Sequence, residues 1–233
     1  MSEPTREAWI TAATPGKSFA EVGGLWGTVH EQVSVAATAG ASATTMIDIA
    51  PQDGSDQDLW ELFRRRLDGL GVASPTCIQA SIDDREAVAR AGTFDVVHCS
   101  GVLYHCPEPL HTLRQLRALT GETLILGTAS MPEHVENVAG SVAVAPGAAL
   151  LVPALSYSQR TVLGQWLTEN GVSMAIGINH PIESDWATDD YSAWWWFFTR
   201  DYVAALLRIA GFEVIDVAGY WNGRATFFLA RTV

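Results

Sequence analysis

Two short stretches hold the residue types and spacings that can do chemistry. The first, EVGGLWG at 21–27, sets Glu21 and the glycines Gly23, Gly24 and Gly27 between an apolar run and a helical pattern. Glycines in such a turn let backbone amides approach a ligand closely, and a helix start presents positive potential. A plain structural turn is the alternative reading of the same residues. The second stretch, FDVVHCSGVLYHCPEPL at 94–110, runs from an apolar strand through Ser100, Gly101, Tyr104 and His105 to a proline-marked helix start. Phe94, Val96 and Val97 suit a strand covered on both faces, and ligands of open α/β sheets bind beyond the carboxyl ends of such strands. Between the two stretches, Asp48 closes another apolar run about twenty residues after the glycines, where a carboxylate can accept both hydroxyls of a ribose. A helix cap or a surface acid is the alternative for Asp48.

The elements that must position these groups alternate as in a doubly wound sheet. Strands are expected at 18–22, 44–50, 75–80, 94–99 and 123–127, and helices at about 28–40, 58–70, 83–90 and 110–119. Leu59, Leu62, Phe63, Leu67 and Leu70 share one helical face, and Asp83 or Asp84 is placed to cap the third helix. From about 130 to 198 the pattern breaks into small residues, prolines and aromatics, too long for a connecting loop, so it should contain helices of its own. A last helix follows Thr199 and ends at Gly211, and 212–219 with 225–231 read as a closing antiparallel pair. The expectation is an α/β, Rossmann-like, mostly parallel seven-stranded sheet with an antiparallel C-terminal hairpin and an aromatic helical insert or lid, all in one domain.

Bulk properties narrow the partners. The chain has 233 residues, 48% of them hydrophobic, enough for one substantial core. With 14 basic and 26 acidic residues its net charge is −12, which disfavours nucleic acid and anionic membranes. The one dense basic cluster, Arg64-Arg65-Arg66, reads as a solvated helix face. Three cysteines, Cys77, Cys99 and Cys106, lack a disulfide-framework spacing, and the N-terminus lacks the apolar core of a signal peptide, so a reducing, cytoplasmic location is expected. The most hydrophobic window, 138–155, is broken by Gly140, Pro146, Gly147 and Pro153 and is no membrane span. His98, Cys99, His105, Cys106 and His111 cluster without metal-ligand spacing, so no metal is expected.

The glycine turn, the acid Asp48, the Ser81-Ile82-Asp83 loop, the strand at 94–97 and the Gly211-Phe212-Glu213-Val214 entry into the hairpin together resemble the class I S-adenosylmethionine-dependent methyltransferases. The segment GVLYHCPEPL with LRQLRALTGETLILGT looks like the branch of bacterial tRNA wobble-uridine carboxymethyltransferases. The resemblance implies that Glu21, Gly23 and Gly27, with Gly24 and Trp26 beside them, cradle the methionine part of S-adenosylmethionine. It further implies that Asp48 binds the ribose, Ile82 and Asp83 the adenine, and Ser100 and Gly101 the sulfonium end. One departure is Leu25, which stands where the family commonly has a glycine and offers a larger apolar wall. A dinucleotide oxidoreductase would use a similar unit but expects G-x-G-x-x-G, and residue 28 is threonine.

Within that resemblance Tyr104 and His105 are the candidates nearest the sulfonium, with His105 as general base and a structural histidine as its alternative. Asn137 is a further catalytic candidate from the insert, and His134, His180, Tyr191 and Trp195 are placed on the acceptor side. Trp186, Tyr191 and Trp194 to Phe198 concentrate aromatic rings that can face a sulfonium cation or, alternatively, form a lid or homodimer contact. The leading expectation is methyl transfer to a small molecule in specialised metabolism. The alternatives are cyclisation of the cofactor to azetidine-2-carboxylate and methylthioadenosine, tRNA wobble-uridine modification, and a non-catalytic cofactor-binding module.

Overall fold

The computed structural model describes residues 6–52, with the side chains of 27–29 excepted, 58–172 and 194–233. The chain opens with α1 (Arg6–Ala13), which the sequence pattern did not announce and which buries Trp9 and Ile10. Then follow β1 (Ser18–Val22), α2 (Val33–Thr38), β2 (Ala43–Asp48), α3 (Leu59–Gly69), β3 (Thr76–Gln79), α4 (Arg85–Ala91), β4 (Phe94–Ser100), α5 (Pro109–Leu119) and β5 (Thr120–Ala129). Beyond β5 come β6 (His134–Asn137), β7 (Gly140–Ala143), β8 (Ala149–Leu151), α6 (Tyr157–Glu169) and β9 (Trp196–Phe198). The chain closes with α7 (Arg200–Ile209), β10 (Phe212–Tyr220) and β11 (Ala225–Thr232).

Seven strands form one sheet in the order β10-β11-β5-β4-β1-β2-β3. The five from β1 to β5 run parallel, and β11 and β10 pair antiparallel at one edge. This is the expected α/β architecture with an antiparallel C-terminal pair. Strand order reverses between β1 and β4, the place where open α/β sheets bind ligands. Both faces are covered, one by a core that includes Val97, Leu116, Leu124 and Phe228, the other by one that includes Phe19, Met46, Trp60 and Val96.

Local chemistry explains the element boundaries. Asp58 caps α3 by accepting from Trp60 N and Glu61 N, and the helix buries Trp60, Phe63 and Leu67. Leu70, assigned by periodicity to that buried face, is instead exposed just past the helix end. Asp84 caps α4, and Pro109 opens α5, where its missing N–H is no loss. The helix expected at 28–40 is divided into a short 3₁₀ helix, Leu25–His30, and the short α2. The division follows from Glu21, whose Oε2 accepts from Gln32 N at 2.7 Å and Val33 N at 3.1 Å. A carboxylate that draws two successive amides toward the sheet interrupts the helical ladder there.

Among its described residues, the region after β5 holds a hairpin of β6 and β7, a β8–β9 pair and, as expected, a helix of its own, α6, opened by a capping box of Ser156 and Gln159. The arginine cluster on α3 is matched by acids: Arg65 meets Glu61 at 3.0 Å and Arg66 meets the buried Glu31 at 3.1 Å. Among the described residues no helix is long and apolar enough to cross a membrane.

Candidate functional site

The carboxyl ends of β1, β2, β4 and β5 bring most of the anticipated groups together. Glu21 is 2% exposed and is held from several sides. Its Oε2 takes the Gln32 and Val33 amides at the start of α2, and its Oε1 lies 3.2 Å from Nδ1 of His98, its direct register partner on β4. A carboxylate so bonded fixes the turn that follows it. Gly23 has φ +77°, and a Cβ there would lie 2.2 Å from Val102 Cγ2. A Cβ on Gly24 would meet Glu21 Cδ at 2.6 Å and Met46 Cε at 2.7 Å. Both positions therefore require glycine, one for backbone conformation and contact, the other for contact alone.

Asp48, at the end of β2, is also 2% exposed. Its Oδ2 accepts from Leu25 N at 3.0 Å and its Oδ1 from Ala50 N at 2.8 Å. Burial pushes its carboxyl above the ordinary value of 3.8, the amide bonds pull the other way, and the negative Glu21 adds to the rise. In this conformation Asp48 offers almost no surface to a ribose, because the Leu25 segment is fastened over it. Leu25 itself is fully buried, whereas Trp26 beside it is 73% exposed. Gly27 lies in the 3₁₀ turn that follows.

Ile82 is buried in the core, and Asp83 accepts from Thr112 Oγ1 at 2.7 Å, which ties the β3–α4 loop to α5. Ser100 and Gly101 end β4; Gly101 has φ +79° and its amide bonds to Gly127 O of β5 at 3.1 Å. Tyr104 follows in a 3₁₀ turn, buried, with its ring 4.1 Å from that of His105 and 4.5 Å from that of Trp194. Burial pushes the Tyr104 phenol up to about 12, so it stays protonated at neutral pH and can donate but not act as a base. Trp195 N donates to Tyr104 O at 2.9 Å, so the aromatic segment is joined to the β4 loop by backbone.

The remaining candidates separate from this group. Asn137 ends β6, where its Nδ2 donates to Val162 O of α6 at 2.8 Å and its Oδ1 accepts from Ala139 N at 3.0 Å. Those bonds fasten the hairpin to α6. His134 is exposed on the same strand. His180, Trp186 and Tyr191 lie outside the described residues.

Two contributors escaped the sequence reading. His98 is 1% exposed, and its Nε2 has no hydrogen-bond partner among the described residues. An ionisable ring inside an apolar strand was the available signal for it. The second is the β10–β11 tip: Tyr220 and Trp221 line a small cleft with Ser100, Gly101, Tyr104 and Phe227. The hairpin was legible, but nothing in its sequence told that its tip reaches the β4 end.

Comparisons with known proteins agree with this geometry. The family model described as a methyltransferase domain matches residues 16–217. A ubiquinone biosynthesis O-methyltransferase of Vibrio parahaemolyticus is 35% identical over 105 residues, 45% of this chain; the chain spans 39% of the length of that curated relative. The magnesium protoporphyrin IX methyltransferase of Synechocystis PCC 6803, solved with bound SAH, superposes with a TM-score of 0.58 at 17% identity over 97% of this chain and 80% of its own. A Bacillus halodurans protein gives 0.60 at 14% identity, with 99% of each chain covered.

Proposed function

We propose that this chain, which belongs to the methyltransferase domain family, binds S-adenosylmethionine at the carboxyl ends of β1, β2 and β4 and transfers its methyl group to a small-molecule acceptor. The observation that carries the reading is the buried Glu21, with its glycine turn, standing at the reversal of strand order beside Asp48. The residues suit that cofactor in kind. Gly23 and Gly24 let the turn that would take its methionine part pack tightly on Val102, Glu21 and Met46, and Asp48 has lone pairs left for ribose hydroxyls once the Leu25 amide lifts away.

The sulfonium supplies an already activated methyl group, so the protein has mainly to align the acceptor, exclude water and remove a proton. Tyr104, neutral and packed on Trp194, is suited to orient by donating a hydrogen bond. His105, against the same ring, is the proposed proton acceptor. The described part of the region after β5 belongs to the same folding unit in this reading, since Val135, Leu163 and Phe198 share one core with the sheet. A small-molecule acceptor is supported by the net charge of −12, which repels a tRNA backbone, and by the small molecules in the names of the ubiquinone biosynthesis and magnesium protoporphyrin IX methyltransferases.

Incubation with S-adenosylmethionine, alone and with candidate acceptors, followed by mass spectrometry, tests this. S-adenosylhomocysteine formed only with an acceptor is the expected result. Methylthioadenosine released without one would instead defeat methyl transfer, with azetidine-2-carboxylate beside it marking cyclisation, and absence of any cofactor binding would sink the assignment.

A further inference from the structure

The tip of the β10–β11 hairpin contains a residue that its backbone does not favour. Trp221, Asn222 and Gly223 are all left-handed, with φ of 50°, 54° and 85°. Asparagine and glycine are the residues such a turn selects, because one tolerates positive φ and the other has no Cβ to clash. A bulky tryptophan there is an outlier.

Packing does not account for it either. The Trp221 side chain is 48% exposed, and the ring contact recorded for it is the tilted one with Tyr220, 5.8 Å between centroids. Its position, by contrast, is held firmly. Its carbonyl accepts from Arg224 Nε at 2.6 Å, and the Arg224 carbonyl accepts from Ser130 N at 2.8 Å, which fastens the tip to the end of β5. Tyr220 is braced edge-on by Phe227 at 5.3 Å, with the Arg6 guanidinium 5.8 Å from both rings. Trp221, half exposed, thus lines a small cleft with Ser100, Gly101 and Tyr104 on a backbone held in place. Thr128 lines the same cleft and carries a buried hydroxyl without a partner among the described residues.

We infer that Trp221 is kept against its backbone preference for its ring face, and that it forms one wall of the acceptor site, taking a flat aromatic ring in stacked contact. This rests on the methyltransferase reading above and adds to it the class of acceptor. Aromatic faces prefer offset stacking on flat rings, a geometry that a saturated ring of the same size does not reproduce.

The test uses the full chain, loaded with S-adenosylhomocysteine, in three forms: wild type, Trp221→Gly and Trp221→Phe. Titration calorimetry measures S-adenosylhomocysteine binding, differential scanning measures the melting temperature, and saturation-transfer NMR measures binding of catechol against cyclohexanediol. The wild type should prefer catechol by about tenfold, the size of one stacking contact. Trp221→Gly should lose that preference, keep its affinity for S-adenosylhomocysteine and melt no lower than wild type, since glycine suits the turn. Trp221→Phe should retain most of the preference. A wild type without preference for the flat ring, a glycine variant that keeps it, or a glycine variant that melts several degrees lower would each overturn the inference. Failure of the wild type to bind S-adenosylhomocysteine at all would instead overturn the methyltransferase reading on which it stands.

Discussion

The two halves of the ligand end are built in opposite ways. On the β1–β2 side two carboxylates, Glu21 and Asp48, are each 2% exposed and bonded to the chain's own amides. On the β4–β5 side the groups are aromatic, Tyr104 and Trp194 buried and Trp221 of the hairpin tip half exposed, around short glycine steps. The difference teaches where energy must be spent on binding. The carboxylate half is satisfied without a ligand, so a ligand must displace internal hydrogen bonds to reach Asp48, whereas the aromatic half has unused ring surface and requires no bond to be broken.

The largest way to break this contrast is to remove Glu21. Its carboxylate answers Gln32 N, Val33 N and His98 Nδ1, and Glu21→Ala strands all three in a buried place. Loss of one partner from such a buried network costs about 3–5 kcal/mol. Urea unfolding should show that loss, together with disappearance of S-adenosylhomocysteine binding. His98→Asn, which can present a donor to the same oxygen, should keep binding where His98→Leu weakens it. Full stability in Glu21→Ala would mean that the carboxylate half is not sealed from within.

A smaller effect concerns Asp48 and has a definite sign. Because burial raises its pKa, the folded chain holds the Asp48 proton more tightly than the unfolded chain does. The contribution of Asp48 to stability is therefore full below 3.8 and is lost as pH rises through the raised value. Asp95 opposes this trend, since hydrogen bonds from Ser18 hold its carboxyl below the ordinary range. The comparison of wild type with Asp48→Asn isolates the first of these. The stability difference between them should shift against the wild type as pH climbs from 4 toward neutrality, measured by thermal melts at several pH values. The same variant should bind S-adenosylhomocysteine about tenfold more weakly, as expected for a charge-assisted hydrogen bond. A pH-independent difference would show that Asp48 is not desolvated.

Most of the sheet was legible because its strands are apolar runs punctuated by glycine, proline and capping acids, and such signals are local. β1 spans the expected residues, β4 exceeds its expectation by one, and Thr199 caps α7 as anticipated. The carboxyl-end groups Glu21, Gly23, Asp48, Ser100 and Gly101 were legible for the same reason. What escaped depends on partners distant in sequence. The break in the helix after Glu21 needs a side chain eleven residues earlier to draw amides away from it. His98 gains meaning only from its register opposite Glu21, and Trp221 only from the pairing of β11 with β5. In the region after β5, α6 supplies a helix of the kind expected, whereas short hairpins there, such as 134–143, carry little periodicity to read and were not anticipated.

The smallest expected effect lies outside both halves, at Asn137. Its amide donates to Val162 O and its oxygen accepts from Ala139 N, so it fastens the β6–β7 turn to α6. The residue is half-buried, so water can replace part of what is lost when the side chain is removed. Asn137→Ala should therefore lower stability by about 1 kcal/mol, the usual net worth of one or two such bonds. Neither bond reaches Tyr104, Gly101 or Asp48, so kcat/KM for the identified acceptor should stay within twofold of wild type. A tenfold fall with unchanged melting temperature would return Asn137 to the catalytic group and extend the site beyond the strand ends into the β6–β7 hairpin.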